Sequence, residues 1–211
     1  ALSDAAVYPS SAGKMNETAA IGGRTREGME ASILQTALLG AARGLMGDAV
    51  RTMLVRHAPV LGEDCAAWCD ALLEGRTIRV RHPAARGVFV HPLDIVCCGL
   101  TLGARAFQCG EGGVYNIGTD ERSIGTRQSA ARRLAMRHGG AGTAQEETED
   151  GEPPAQLLDG SAARRLCGAA CRLDVDQALD LLFEQRRAAR AGQEEAAIRR
   201  MTRTYLEGCR A

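Results

Sequence analysis

The chain has 211 residues, 45% hydrophobic and 25% charged, with 26 basic and 26 acidic side chains and a formal net charge of +0. That length and apolar content can bury a core, and the charge balance excludes a global basic field that would recruit nucleic acid or an anionic membrane. Lys14 is the only lysine, which removes most amine and Schiff-base chemistry, and with aromatics at 3% the core must come from Ala, Leu, Val and Ile.

"DAAVYPS" predicts a short strand, Ala5 to Tyr8, stopped by Pro9, with a polar loop to about Glu27. From Gly28 to Gly44 the residues Met29, Ile33, Leu34, Ala37, Leu38 and Ala41 recur at three and four, an amphipathic helix. "RTMLVRH" reads as a buried strand, and Glu63 to Glu74 as a second helix with Trp68 and Leu72 on one face. "RTIRVRH" alternates with a period of two, which turns Ile78 and Val80 inward. "GVFVHP" is strand-like, and Leu93 to Phe107, apolar nearly all round, predicts a buried helix. "GVYNIG" is a strand, and Ser123 to His138 a helix with Ile124, Ala131, Leu134 and Ala135 inside. Alternating strands and helices imply an α/β domain over residues 1–138.

Composition changes at Gly139. "GGAGTAQEETEDGEPPAQ" is rich in Gly, Glu and Pro without periodicity, and residues 139–158 read as an acidic solvated linker. Residues 159–211 predict an all-helical extension. Asp174 and Gln177 have capping-box spacing ahead of the stripe Val175, Ala178, Leu179, Leu182 and Phe183, and Ile198, Met201 and Tyr205 form another stripe. Those stripes must bury against the domain or a partner.

The eight cysteines fall mostly in helix-like runs of a chain too large to need staples, so reduced, buried thiols are the preferred reading. Cys65/Cys69 and Cys167/Cys171 are spaced i, i+4, which leaves a disulfide between the pairs open but lacks the short-loop spacing of a zinc knuckle, and no metal is expected. No apolar run is long enough to span a bilayer; the richest, Val88 to Leu102, is interrupted by His91, Pro92 and Asp94. Without a Met start or signal-peptide pattern, any targeting segment is expected to have been removed or never present. No GxSxG supports a nucleophile. The arginines Arg132, Arg133, Arg137, Arg164, Arg165 and those from Arg186 to Arg203 suit either RNA phosphates or a solvated helix face balanced by Glu184, Glu194 and Glu195, and stacking aromatics are lacking.

"GGVYNIGTDERSI" resembles the late strand, turn and helix start of extended short-chain dehydrogenases, the NAD-dependent sugar-nucleotide epimerase/dehydratase family. Other segments follow in that family's order: "LSDAAVYPSS" is similar to "SSAAVYG", "NETAA" to "xExxP", "MLVRHAPVLGED" to "LRxxNVYGPG", "ALLEGRTIRV" to "ALxGxPIxV", and "RGVFVHPLDIVCCGLTLG" to "RDFVHVDDIVxALxLA". The resemblance covers about Ala1 to Arg137. It implies a partial Rossmann-like fold. The family's Gly-rich dinucleotide turn precedes "SSAAVYG", where this sequence begins, and no GxxGxxG occurs, so the expectation is a domain lacking its N-terminal dinucleotide-binding half and binding no cofactor.

The resemblance also implies a catalytic Tyr and Lys spaced YxxxK on the helix after "xExxP". The corresponding "GGRTREGMEASILQ" has neither, and the only tyrosines are Tyr8, Tyr115 and Tyr205. Asp4 replaces the family's Ser/Thr before "AxVY", where a carboxylate repels a diphosphate. Arg86 stands one place out of register with the family's diphosphate-binding Arg, while His91 and Asp94 match "HVxD", and Tyr115 and Asn116 match "YNIG". His91 reads as structural beside Pro92, Asp94 as a cap or orienter of the helix that begins there, and Arg56 as either an internal ion-pair partner or a ligand group. These degenerate positions imply no catalytic, cofactor or metal residue. The expected function is a non-catalytic accessory subunit of a larger complex, organellar and by analogy mitochondrial, otherwise cytoplasmic, with protein partners and no membrane span. The alternatives are an active epimerase or dehydratase completed by a separate N-terminal chain, and an RNA-binding module in an organellar ribonucleoprotein.

Overall fold

A computed structural model describes residues 2–4, 8, 14–19, 21, 26–46, 53–58, 61–110, 112–118, 121–146, 157–168 and 171–208. The chain is α/β and divides into two compact units: residues 1–59, 94–120 and 154–172, and residues 60–93, 121–153 and 173–211. The residues beyond 158 are thus shared between the units.

In the first unit β1 (Leu2–Asp4), β2 (Met53–His57) and β5 (Gly113–Ile117) form a three-stranded parallel sheet in the order β1-β2-β5. Its helices are α1 (Arg26–Met46), α3 (Pro92–Cys109) and α5 (Ser161–Cys167). β2 is buried at Leu54, Val55 and Arg56, as a central strand of a parallel sheet should be. β1 lies earlier than the predicted Ala5 to Tyr8, of which residues 5–7 fall outside the described ones.

Two helices of this unit do not bury what their sequences offer. α1 forms as expected, but its stripe faces outward: Met29 is 50%, Ile33 69%, Leu34 61% and Leu38 44% exposed. α3, predicted to be buried all round, hides Ile95, Cys98, Leu102 and Ala106 and exposes Val96, Leu100 and Phe107. Apolar periodicity says that a face exists, not that the same chain covers it.

In the second unit β3 (Ile78–Arg81) pairs in parallel with β7 (Thr143–Glu146), and β4 (Arg86–Val88) pairs antiparallel with β6 (Ile124–Thr126). β3 alternates as predicted, with Ile78 and Val80 fully buried. β7 corrects the expectation of an unstructured segment throughout 139–158; residues 147–156 lie outside the described ones. The predicted helix from Ser123 also changes: a 3₁₀ turn ends at Ser123, Ile124 is in β6, and α4 (Arg127–Arg137) starts after Thr126, whose side chain accepts from the Ser129 N–H.

Helices α2 (Glu63–Leu73), α4, α6 (Val175–Arg190) and α7 (Glu194–Gly208) complete this unit. The Asp174/Gln177 capping box is present, and Val175, Leu179 and Phe183 join Trp68, Ile78, Val80, Phe89 and Leu134 in one core. On α7, Met201 and Tyr205 are buried but Ile198 is 42% exposed, and Ala197 takes the inner position.

Candidate functional site

Because β1, β2 and β5 run parallel, their carboxyl ends gather at one edge of the sheet, where open α/β sheets hold ligands. The register places Ser3 beside Arg56 and Arg56 beside Asn116. Arg56 and Asn116 are buried, and Tyr8, 1% exposed, lies against both. Arg56 Nη1 donates to the Tyr8 hydroxyl, and the guanidinium carbon sits 4.9 Å from the Tyr8 ring centroid. Tyr8 in turn directs its hydroxyl proton at Asn116 Oδ1, 3.0 Å away, and the Asn16 carbonyl, 3.1 Å away.

The rest of the cluster ties this edge to its surroundings. Asn116 Nδ2 donates to the Met15 carbonyl at 3.0 Å, and the Asn116 backbone N–H donates to Glu17 Oε1 at 2.9 Å. Arg56 Nε donates to Gln35 Oε1 of α1 at 3.1 Å. Among the described residues no carboxylate pairs with Arg56, whose acceptors are Gln35, Tyr8 and the Glu17 carbonyl. Of the two expectations for Arg56, the internal ion pair is not found among the described residues.

A phenol against a cation is a pair that can move protons. Here the phenol is sealed, its oxygen already accepts and its proton is already placed, so a substrate atom reaches it only by displacing the network. The cluster holds strand ends, loop and helix together; among the described residues it offers no free acid or base. Tyr8, Glu17 and Gln35 have roles that the sequence did not signal. The one hint is Gln35 between Ala31 and Leu39 at helical spacing.

The degenerate positions are divided between the two units. Asp4 is the last residue of β1, beside His57. Arg86 is exposed on β4 opposite Thr126. His91 is 3% exposed, and its Nδ1 accepts from the Leu93 N–H at 3.1 Å, which puts the neutral ring's proton on Nε2, a buried atom without a hydrogen-bond partner among the described residues. Burial pulls the His91 pKa down to about 4. Asp94, 1% exposed in the first turn of α3, accepts the Arg172 N–H on Oδ1 at 2.9 Å, so it also fastens a distant segment. Tyr115 is half-buried on β5 next to the sealed Asn116.

None of the seven described cysteines is in a disulfide with another of them. Cys65 and Cys69 lie in the core, and burial pushes both thiols up to about 12. Among the described residues no group of three or more His, Cys, Asp and Glu side chains is placed to hold a metal ion, and no helix is long and apolar enough to cross a membrane. Several arginines considered for RNA are engaged by carboxylates: Arg133 and Arg137 by Asp176, Arg186 and Arg190 by Asp70. Arg132, Arg164, Arg165, Arg200 and Arg203 are exposed.

No family model and no curated protein matches the sequence. Solved structures do match in fold. A UDP-glucose 4-epimerase from Stenotrophomonas maltophila with bound NAD and formylated UDP-arabinopyranose superposes with a TM-score of 0.74 at 16% identity, over 90% of this chain and 63% of its own. UDP-glucuronic acid 4-epimerase from Bacillus cereus in complex with NAD gives 0.71 at 14%, over 89% and 60%. dTDP-glucose 4,6-dehydratase from Bacillus anthracis in complex with NAD gives 0.70 at 15%, over 93% and 63%.

At these identities the likeness is one of fold. The chain spans about 60% of the length of the structures it matches. The likeness runs further than the sequence motifs do, since 89% of the chain exceeds Ala1 to Arg137. Part of the region beyond residue 138 therefore has counterparts in the epimerase and dehydratase fold. NAD would need a Gly-rich strand-to-helix turn with bare amides for its pyrophosphate. Among the described residues, α3 follows β4 through Phe89, Val90 and His91 and α4 follows Thr126, whose side chain already caps it, and neither junction is Gly-rich. The described residues do not fit the dinucleotide.

Proposed function

We propose that this chain is a non-catalytic accessory subunit that uses an epimerase/dehydratase-like fold as a binding surface within a larger assembly. The observation that carries the reading is the outward stripe of α1. Met29, Ile33, Leu34 and Leu38 lie on the helix that follows the "NETAA" loop, and a contiguous apolar face on a surface helix marks an interaction site. The sequence supports it as well: that helix carries no tyrosine or lysine, and the one lysine of the chain is Lys14.

A second reading, an NAD-dependent epimerase or dehydratase completed by a separate chain, is favoured by the fold of the structures above. It would need a proton-transfer pair other than Tyr and Lys. Incubation of the purified protein and its co-purifying partners with NAD and UDP-glucose, UDP-glucuronic acid or dTDP-glucose separates the two. The accessory reading predicts no turnover; epimerised or dehydrated product would overturn it.

A further inference from the structure

The buried side of α1 and its apolar stripe are almost opposite. At about 100° per residue, Ala31, Gln35 and Leu39 centre on a line roughly 150° around the helix from the middle of the broad arc that runs from Met29 and Ile33 to Leu34 and Leu38. Gln35 is 2% exposed while the four apolar residues are 44 to 69% exposed. Burying an amide in place of Ile33 or Leu34 runs against the hydrophobic effect, so a specific interaction must select this orientation. Arg56 supplies it. Its Nε–H, on a side chain 4% exposed, donates to Gln35 Oε1 at 3.1 Å, and turning the helix would carry Gln35 outward and leave that Nε–H buried without its acceptor.

We propose that the Gln35–Arg56 hydrogen bond is a pin that fixes the rotation of α1 about its own axis and keeps the apolar stripe outward. Both residues are positioning residues. The small Ala31 side chain beside the pin packs against the cluster of Tyr8, Met15 and Leu158. The purpose of the pin rests on the accessory-subunit reading; its geometry does not.

Methionine oxidation by dilute peroxide, read by peptide mass spectrometry on the isolated full chain, reports the rotation directly. Met29 and Met136 are 50% and 81% exposed, Met15 and Met201 9% and 7%, which gives fast and slow internal references. In the wild-type protein Met29 is expected to oxidise within about threefold of Met136. Arg56→Met removes the donor, strands the Gln35 amide and lets the stripe turn inward, so Met29 slows about tenfold while Met136 is unchanged. Tyr8→Phe removes another Arg56 partner but keeps the pin, and Met29 keeps its rate.

An unchanged Met29 rate in folded Arg56→Met, or a wild-type Met29 as slow as Met15, overturns the proposal. Should Arg56→Met fail to fold, Gln35→Glu decides: a charge-assisted pin slows amide exchange along α1, and equal exchange overturns the idea. Failure of the accessory reading would show as missing partners and would leave the Met29 result standing.

Discussion

Gly118, at the carboxyl end of β5, and Gly160, just before α5, pass backbone against backbone. A Cβ on Gly118 would lie 2.2 Å from the Gly160 nitrogen, and one on Gly160 2.3 Å from the Gly118 nitrogen. Neither contact involves a flexible side chain, so the strand end and the helix start must part to admit a methyl group. Gly118→Ala and Gly160→Ala are each expected to cost about 1–3 kcal/mol. Urea denaturation followed by far-UV circular dichroism measures this, and a cost within error of zero would show that the crossing is looser.

His91 makes stability depend on pH. Its pKa is about 6.5 in the unfolded chain and about 4 in the fold. Between those values the unfolded state binds more protons, so lowering the pH favours unfolding. The stabilisation is complete above pH 6.5 and is lost as pH falls toward about 4. Asp70 and Glu74, whose carboxyls are held down chiefly by hydrogen bonds from Arg186 and Arg190 respectively, add a loss only at lower pH. His91→Asn keeps an acceptor for the Leu93 N–H and removes the titration. Midpoints measured from pH 4.5 to 7.5 should be flatter in the variant, and equal slopes would contradict this account.

The cysteines should separate by reactivity. Cys65 and Cys69, at about 12, carry almost no thiolate at pH 8 and are sealed in the core. Cys109 is exposed. Among the described cysteines, alkylation with mass-spectrometric readout is expected to mark Cys109 first and to reach Cys65 and Cys69 only on unfolding. Early labelling of either core thiol would contradict that burial.

Asp70 anchors α6 by taking both Arg186 and Arg190. These groups are partly solvated, so Asp70→Asn is expected to cost only about 1 kcal/mol. Its clearer sign is faster amide exchange in α6 with α7 dragged along, since those two helices pack together. An α6 unchanged in exchange would place the anchoring in the apolar stripe alone.

What could be read from the sequence and what could not divide along physical lines. The capping box at Asp174 and the alternation at Ile78 and Val80 are local signals, and they produced the expected elements. β7 has no such signal: "TAQE" is a strand because β3 pairs with it, which is a long-range fact. α1 shows the deeper limit. Its stripe at three and four is plain in the sequence, yet the direction it faces depends on Arg56 meeting Gln35 across 21 positions. The Tyr8–Arg56–Asn116 cluster was hidden for the same reason, since its members are spread over 108 positions and meet only when the parallel strands align.

Under the accessory-subunit proposal this chain works by being bound through its surface. Native purification followed by size-exclusion chromatography, with mass spectrometry of co-eluting chains and extraction of nucleotide from the same fractions, tests it most directly. The expected result is stoichiometric elution in a large assembly without NAD(P), with Met29 on the α1 stripe protected from oxidation there and open in the isolated chain. Elution as a small species carrying NAD(P), alone or with one Gly-rich partner chain, would contradict it.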